Sequence, residues 1–352
     1  MTAQILTQFD SWLDPDGPVA IVVREPLEPV QGADAVFFPP TFAPSARGEA
    51  PYYVIDETST GKTAVVDTVG SQANRLEPMF KRAPFSGLVP RASVKIGERI
   101  VDLLDAGHRA ADAVVRFSDR RDSLRSAFQD IAERGDATQL AKLAPTSLVF
   151  GAWDSRDTQV KIPRVVGSTV RANKVEPLTR AAQFFSAFEK EETEQLGFVQ
   201  DFLSEQGLSD APAGRGPGGV VARDGIIREA VLNLVVLRAL SGANVEATRA
   251  LQRYILGLAL VVLLAPIDLY LREGCLLVAS AERPTIRKKV LRTGQRDDLS
   301  LDADGALAYA QATAAEFVVG DDWEATFSKD AIAAVQAKSE AKAKKPSKQK
   351  KA

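Results

Sequence analysis

An α+β fold is predicted for this chain of 352 residues, and three observations predict it. Apolar runs of strand length are short and scattered, as at 18–23, 63–66 and 165–170. Two apolar runs of helix length, 226–240 and 245–264, sit together in the C-terminal half. The two kinds of run do not alternate regularly, which argues against a doubly wound parallel sheet. No repeat of about 20–50 residues is visible, which argues against a solenoid.

Element by element, 18–23 (PVAIVV) reads as a first buried strand, and 33–50, rich in Pro, Gly and Ala, as a loop. Residues 52–55 and 63–66 read as strands around a turn at 59–61, and 71–80 as a short helix capped by Ser71. A hairpin is expected over 94–101. The pattern from 102 to 117 is helical, with Asp105–Arg109 and Asp112–Arg116 spaced for i,i+4 pairing. Another helix covers 123–134. Residues 147–153 read as a strand, followed by an irregular basic segment and a second strand near 165–170. Then come an acidic helix at 188–206, a flexible Gly/Pro-rich linker at 211–219, the two apolar helices, and a last core strand at 276–279. A short amphipathic helix near 330–337 and a disordered Lys-rich tail, 338–352, close the chain. Residues 1–337 are expected to form one domain.

Charge is distributed unevenly. The formal net charge is −2, yet 338–352 holds seven Lys against one Glu, which leaves 1–337 at −8. Any nucleic-acid surface is therefore a local patch on an acidic body. The single cysteine, Cys275, excludes an intrachain disulfide framework and fits a reducing cytosol. Its apolar setting, GCLLVAS, predicts a buried, inert thiol. One histidine, His108, with one cysteine excludes the usual zinc sites, whereas carboxylate-bound magnesium stays open. The start, MTAQILTQFDSWLD, shows no secretory signal. The longest apolar run, 254–267, contains Gly257, ends near Pro266 and is shorter than a bilayer span. A cytoplasmic protein with no membrane partner is expected.

The densest chemical signal lies in 144–172. Arg156, Lys161, Arg164 and Arg171 stand among apolar or small neighbours, with Lys174 just beyond and only Asp154 and Asp157 between them. Buried structure does not need so many long cations, whereas holding a phosphate backbone does. A second patch is the helix start at 71–75. There Ser71, Gln72, Asn74 and Arg75 are donors beside free backbone amides that favour anions. The alternative is an ordinary capped helix with a surface arginine. Arg109 and Arg116 are weaker candidates, because Asp105 and Asp112 are placed to occupy them. Trp153 either packs in the core or wedges beside a base. Arg283, Arg287, Lys288, Lys289, Arg292 and Arg296 form a further cluster, either a nucleic-acid contact or a solvated face.

Two phosphate-loop lookalikes are set aside. STGKT at 59–63 lacks the first glycine of a P-loop, because position 56 is Asp56. GRGPGG at 214–219 has the spacing of a dinucleotide fingerprint, but no strand is expected before it and Pro217 interrupts it. No G-x-S-x-G elbow is present, and His108 reads as structural or as a general base.

Several long segments together resemble one family. They are DTVGSQANRLEP, GHRAADAVVR, PTSLVFGAWDSRDTQVKIPRVVGSTVRA, REAVLNLVVLRAL and QRYILGLALVVLLAP, spread in order over roughly residues 60–280. The chain resembles the RAMP protein of type I-U (I-G) CRISPR systems, the Cas-seven-type backbone subunit of the Cascade surveillance complex. That resemblance implies an RRM-like (ferredoxin-like) palm with large helical, finger and thumb insertions. The thumb-like segment would then lie near 153–175 and a glycine-rich loop at 211–219. It further implies a subunit that stacks head-to-tail with copies of itself along a CRISPR guide RNA and presents the guide to target DNA. Other Cascade subunits, a large subunit and a guide-processing subunit, would join it. It implies no catalysis and no cofactor, and it places a Ser-Gln followed by basic residues, here Ser71, Gln72 and Arg75, near the guide. The match departs from the pattern in having a single Arg there. Two alternatives remain: a RAMP-type RNA endonuclease using His108, Asp154 or Asp157, and a small-molecule nucleotide-binding enzyme using the glycine-rich loop.

Overall fold

The structure is a computed structural model, and it describes residues 2–43, 51–195, 197–333 and 335–336. In chain order its main elements are β1 (Ala20–Pro29), the hairpin β2 (Ile55–Thr58) and β3 (Gly61–Asp67), α1 (Val69–Leu76), α2 (Arg121–Arg134), α3 (Thr146–Phe150) and β4 (Val166–Asn173). There follow β5 (Val175–Phe184), β6 (Ala211–Ala222), β7 (Ile226–Asn233), α4 (Val245–Leu264), β8 (Leu269–Arg272), β9 (Cys275–Ala279), β10 (Ile286–Val290), β11 (Arg296–Asp298) and α5 (Ala303–Phe317).

The main sheet runs β8-β9-β1-β7-β4-β3-β2, with β10 also on β1 and β11 on β10. Strand β7 is antiparallel to both β1 and β4, and β1 is antiparallel to β9 and β10. Helices α1–α3 lie on the path from β1 to β4, and α4 on the path from β7 to β9. Two interleaved strand–helix–strand units with this order make the RRM-like (ferredoxin-like) palm. The α+β class is as expected.

Burial alternates along the central strands. Ile21, Val23 and Leu27 of β1 face inward with Ala230 and Leu232 of β7 and Val166 and Val170 of β4. Helix α4 is apolar around most of its circumference over Tyr254–Leu264, where it is covered on all sides. Its length and composition would suit a membrane span, but Tyr254–Leu264 is buried in the large core beside α5. Gly257 sets that approach: a Cβ there would lie 2.6 Å from Thr313 Oγ1 and 2.9 Å from the Ala310 backbone.

One row of inward positions is polar. Glu25 lies opposite Arg228 on β1 and β7, and Ser168 stands beside them on β4. This row divides the large core from a smaller one built on Leu27, Phe37, Val66, Val170, Ile226 and Cys275.

Several expected elements differ. Residues 147–153 form helix α3 and then only a two-residue strand, Ala152–Trp153. The supposed linker 211–219 is part of β6, paired with β5. The segment 153–175, expected to be thumb-like, holds a short hairpin strand, Lys161–Ile162, and then β4, while the longer hairpin is β5–β6. The first apolar "helix" is β7 followed by a short helix, Leu234–Arg238. Apolar residues on both faces of β7 hid its period of two. The acidic helix is two six-residue helices, Lys190–Gln195 and Gln200–Glu205. Over 102–117 there are 3-10 turns and one four-residue helix. Asp105 pairs with Lys81 and Arg109 with Glu77, while Asp112 caps Val114, so the i,i+4 pairs do not form. Thr68, not Ser71, caps α1. The strand at 276–279 is followed by β10, β11 and Trp323–Thr326. Residues 329–333 are helical, and the Lys-rich tail lies outside the described residues.

Candidate nucleic-acid interface

The basic segment folds as a hairpin over 151–164. Gly151 ends α3 with φ +79, a left-handed value that suits glycine. Ala152–Trp153 then pairs antiparallel with Lys161–Ile162. The buried Asp154 carboxylate organises the loop between them. Its Oδ2 accepts from the Thr158 N–H at 2.8 Å and the Thr158 hydroxyl at 2.7 Å. The Asp154 N–H donates to the Val160 carbonyl at 3.0 Å, and its own carbonyl accepts from the Gln159 N–H at 2.8 Å. The loop's polar groups are thereby satisfied from within, and its cations are left to solvent.

Arg156, at the loop tip, and Arg164, at the base, are exposed, with no ion pair among the described residues. The stem of Arg164 runs over Gly151, where a Cβ would lie 2.8 Å from its Cγ. Lys161 stands 5.9 Å above the Trp153 ring. That ring is 59% exposed, which overturns the core-packing reading and leaves an aromatic face beside a cation. Arg116 lies over Phe117 at 5.1 Å and lines the shallow wall beside the hairpin. Arg121 and Arg125 of α2 reach Asp157 at 3.1 and 3.5 Å. These two were missed in the sequence; their i,i+4 spacing put them on one face, but the partner face was not legible. Arg121 and Arg125 thus share Asp157, while Asp154 is committed to its loop.

The helix-start patch is built differently. Gln72 is buried, and its Nε2 donates to Asp67 Oδ2 at 2.7 Å. Its Oε1 accepts from the Ser168 hydroxyl at 2.9 Å. Ser168 accepts from Arg228 Nε at 3.2 Å, and Arg228 NH1 reaches Glu25 at 2.8 Å. Arg75 closes the other end, donating to Asp67 at 3.1 Å and to the Tyr270 and Leu271 carbonyls. Ser71 is half-buried and contributes its backbone N–H to the cap. Gln72 is therefore spent inside the protein and the partly exposed Arg75 is tied to Asp67, because burial of Asp67 and Arg228 demands partners.

Arg109 is also buried. It meets Glu77 at 2.7 Å, donates to Asn74 Oδ1 at 3.1 Å and to the Gly151 carbonyl at 3.4 Å, and lies 5.2 Å over Phe150. Burial pushes the Glu77 carboxyl up to about 7 against the opposing pull of Arg109. Burial also lowers the Arg109 guanidinium, with nearby Arg164 acting in the same direction. Arg109 thus anchors the root of the hairpin instead of facing a ligand.

Arg171 is exposed on the outer face of β4, and Lys174, at φ +48, forms the corner into β5 with its Nζ 3.5 Å from Asp224. They lie on the palm and not on the hairpin. In the 283–296 cluster, Lys288 pairs with Asp298 at 2.7 Å and Lys289 with Asp297 at 3.3 Å, so part of that charge is neutralised. His108 is exposed, and its backbone N–H donates to Asp112 at 3.3 Å. The glycine run serves close packing: a Cβ on Gly218 would lie 2.6 Å from the Thr179 backbone, and the Gly219 N–H donates to the Tyr53 hydroxyl at 2.9 Å. STGKT forms the β2–β3 turn, with Thr58 opposite Gly61. Among the described residues no group of three or more His, Cys, Asp or Glu comes together. Cys275 is buried, and burial raises its thiol to about 11.

Residues 21–177 match the model of a family described as CRISPR-associated protein GSU0053. The segments 228–240 and 252–266 lie beyond that match. A chain of a solved structure described as "CRISPR RNA-guided surveillance complex, pre-nicking" aligns with 91% of this chain and 99% of its own length, at 10% identity and a TM-score of 0.35. No curated protein matches the chain. The stretch 21–177, which carries the basic hairpin and the first half of the palm, is similar to the CRISPR-associated GSU0053 family.

Proposed function

We propose that the protein is a non-catalytic guide-RNA-binding backbone subunit of a type I-G Cascade complex, acting in the cytoplasm. It holds the guide by its phosphates, self-associates head-to-tail along the spacer, and presents the guide to target DNA beside a large subunit and a guide-processing subunit. The observation that carries this reading is the 151–164 hairpin. Arg156, Lys161 and Arg164 project from it with no carboxylate partner among the described residues, on a body of net negative charge. Sequence-independent phosphate contact is what a guide carrier needs, since base pairing supplies the specificity. Arg116, Arg171 and Lys174 extend the basic surface, whereas Gln72 and Arg109 support it from within. The exposed Trp153 face offers a stacking platform beside Lys161.

The test is purification without nuclease followed by sequencing of bound RNA. Guide-length RNA is expected, released by salt. Protein that emerges free of nucleic acid and fails to bind added guide RNA rejects the reading. The nuclease alternative gains nothing from the geometry, because Asp154 is occupied by Thr158 and Asp157 by Arg121 and Arg125. Labelled RNA incubated with magnesium should stay intact; cleavage that disappears in His108→Ala would reinstate it.

A further inference from the structure

The far end of the β5–β6 hairpin has a character opposite to that of the basic hairpin. Residues 185–210 contain seven Asp or Glu and one Lys, a net of −6. The two short helices there close on buried Leu203, and the Gln200 side chain donates to the Ser209 hydroxyl at 2.9 Å. Between them is an open cavity of about 500 Å³ lined by Phe188, Thr193, Phe198, Leu203 and Ser209. Around it Phe185, Phe198 and Val199 are 67%, 60% and 74% exposed, and Phe202 is exposed as well. An acidic rim repels a phosphate backbone. Clustered exposed aromatics mark a protein contact.

The same chain carries a segment of complementary chemistry. Residues 329–352 contain eight Lys against two acids, a net of +6. The segment starts with helical residues 329–333, and Ile332 and Val335, three apart, are exposed. Apolar side chains for the aromatic cavity are thus followed directly by cations for its acidic rim.

We propose that the acidic, aromatic tip at 185–210 is a docking site for the C-terminal segment 329–352 of a second copy of this chain. The site is distinct from the guide surface and rests on the proposed self-association only in taking the occupant from another copy. Phe198, Phe202 and the cavity receive Ile332 and Val335, while Glu191, Glu192, Asp201 and Glu205 meet the lysines. Binding of this kind, apolar at its centre and charged at its edge, weakens with salt without vanishing.

The test uses two full-length chains with different tags, one Val199→Cys and the other Val335→Cys, joined by a bis-maleimide. Native Cys275 is buried. A mixed dimer is expected, with a yield that falls about tenfold between roughly 50 and 500 mM salt. Lys344→Glu, Lys345→Glu and Lys348→Glu together should abolish it, and Glu191→Lys with Glu192→Lys on the other chain should restore it. Equal yield from Val245→Cys, an exposed control position, overturns the proposal. So does crosslinking confined to a single chain in a Val199→Cys, Val335→Cys double variant. Phe198→Ser with Phe202→Ser should remove the mixed dimer and leave the salt dependence of RNA binding unchanged. Failure of RNA binding in the parent protein would therefore leave the crosslinking result standing, and the reverse holds too.

Discussion

Replacing Arg156, Lys161 and Arg164 together by alanine isolates the proposed guide contact. None of the three has a carboxylate partner among the described residues, so their removal leaves no buried charge or broken pair behind. Exposed substitutions of this kind change stability by no more than about 0.5 kcal/mol each. Removing one phosphate contact should lower the log–log salt slope for a single strand by about 0.7, so removing three lowers it by about 2.1. Over a fourfold rise in salt, from about 50 to 200 mM, the parent should lose about 18-fold more affinity than the variant. Fluorescence anisotropy with a labelled guide-length RNA at several salt concentrations reads this directly, and thermal melting confirms that the variant is folded. Arg121→Ala with Arg125→Ala is the comparison: both already face Asp157, so their removal should move the slope less. A folded triple variant with the parent's slope would refute the assignment of the hairpin to RNA.

Gln72→Ala should cost about 1–3 kcal/mol, because it strips the Ser168 hydroxyl and the Asp67 carboxylate of a buried partner. Chemical denaturation measures this, and the RNA salt slope should not change; a slope change without a stability change would return Gln72 to the RNA surface. Glu77 provides a pH test: its carboxyl is raised from 4.5 to about 7, so its contribution to stability is complete below about 4.5 and is lost as pH rises through 7. The difference corresponds to about 3 kcal/mol. Melting temperature should therefore fall between pH 5 and 8, and Glu77→Gln should flatten that fall; a parallel profile in the variant rejects the argument. Gly151→Ala meets a positive φ together with crowding by Arg164 Cγ and the Ile162 carbonyl, the latter at 2.9 Å. It should cost roughly 1–3 kcal/mol and weaken RNA binding. Gly97→Ala, also at positive φ but with nothing within 4 Å, should cost less in the same assay.

Local chemistry made much of the fold legible. The β2–β3 turn at Gly61, the hairpin Ala92–Ile96 with Arg99–Asp102, helix α2 and helix α4 all lie near where propensity and periodicity put them. Periodicity failed at β7, since a strand apolar on both faces carries no alternation to read. It failed again at β6, where glycines that admit close backbone approach look identical in sequence to glycines that give flexibility. At the candidate site, the cations dense over 156–164 in sequence lie together on one hairpin. At the helix start, 71–75, Gln72 and Arg75 bond Asp67, and sequence could not show this because Gln and Arg are donors whether they face phosphate or a buried aspartate.

By itself the sequence determined the α+β class, the acidic body, the core helix α4 and the local excess of positive charge, because each follows from composition and short-range spacing. Which cations are free was decided only in three dimensions. Glu77 and Asp67 lie far along the chain from some of their partners, Arg109 and Arg272, and a charge is spent or available according to what the folded sheet sets against it. Arg156 and Arg109 are the same residue type. One faces water because the Asp154 loop satisfies itself, and the other is buried because the palm needed a counter-ion.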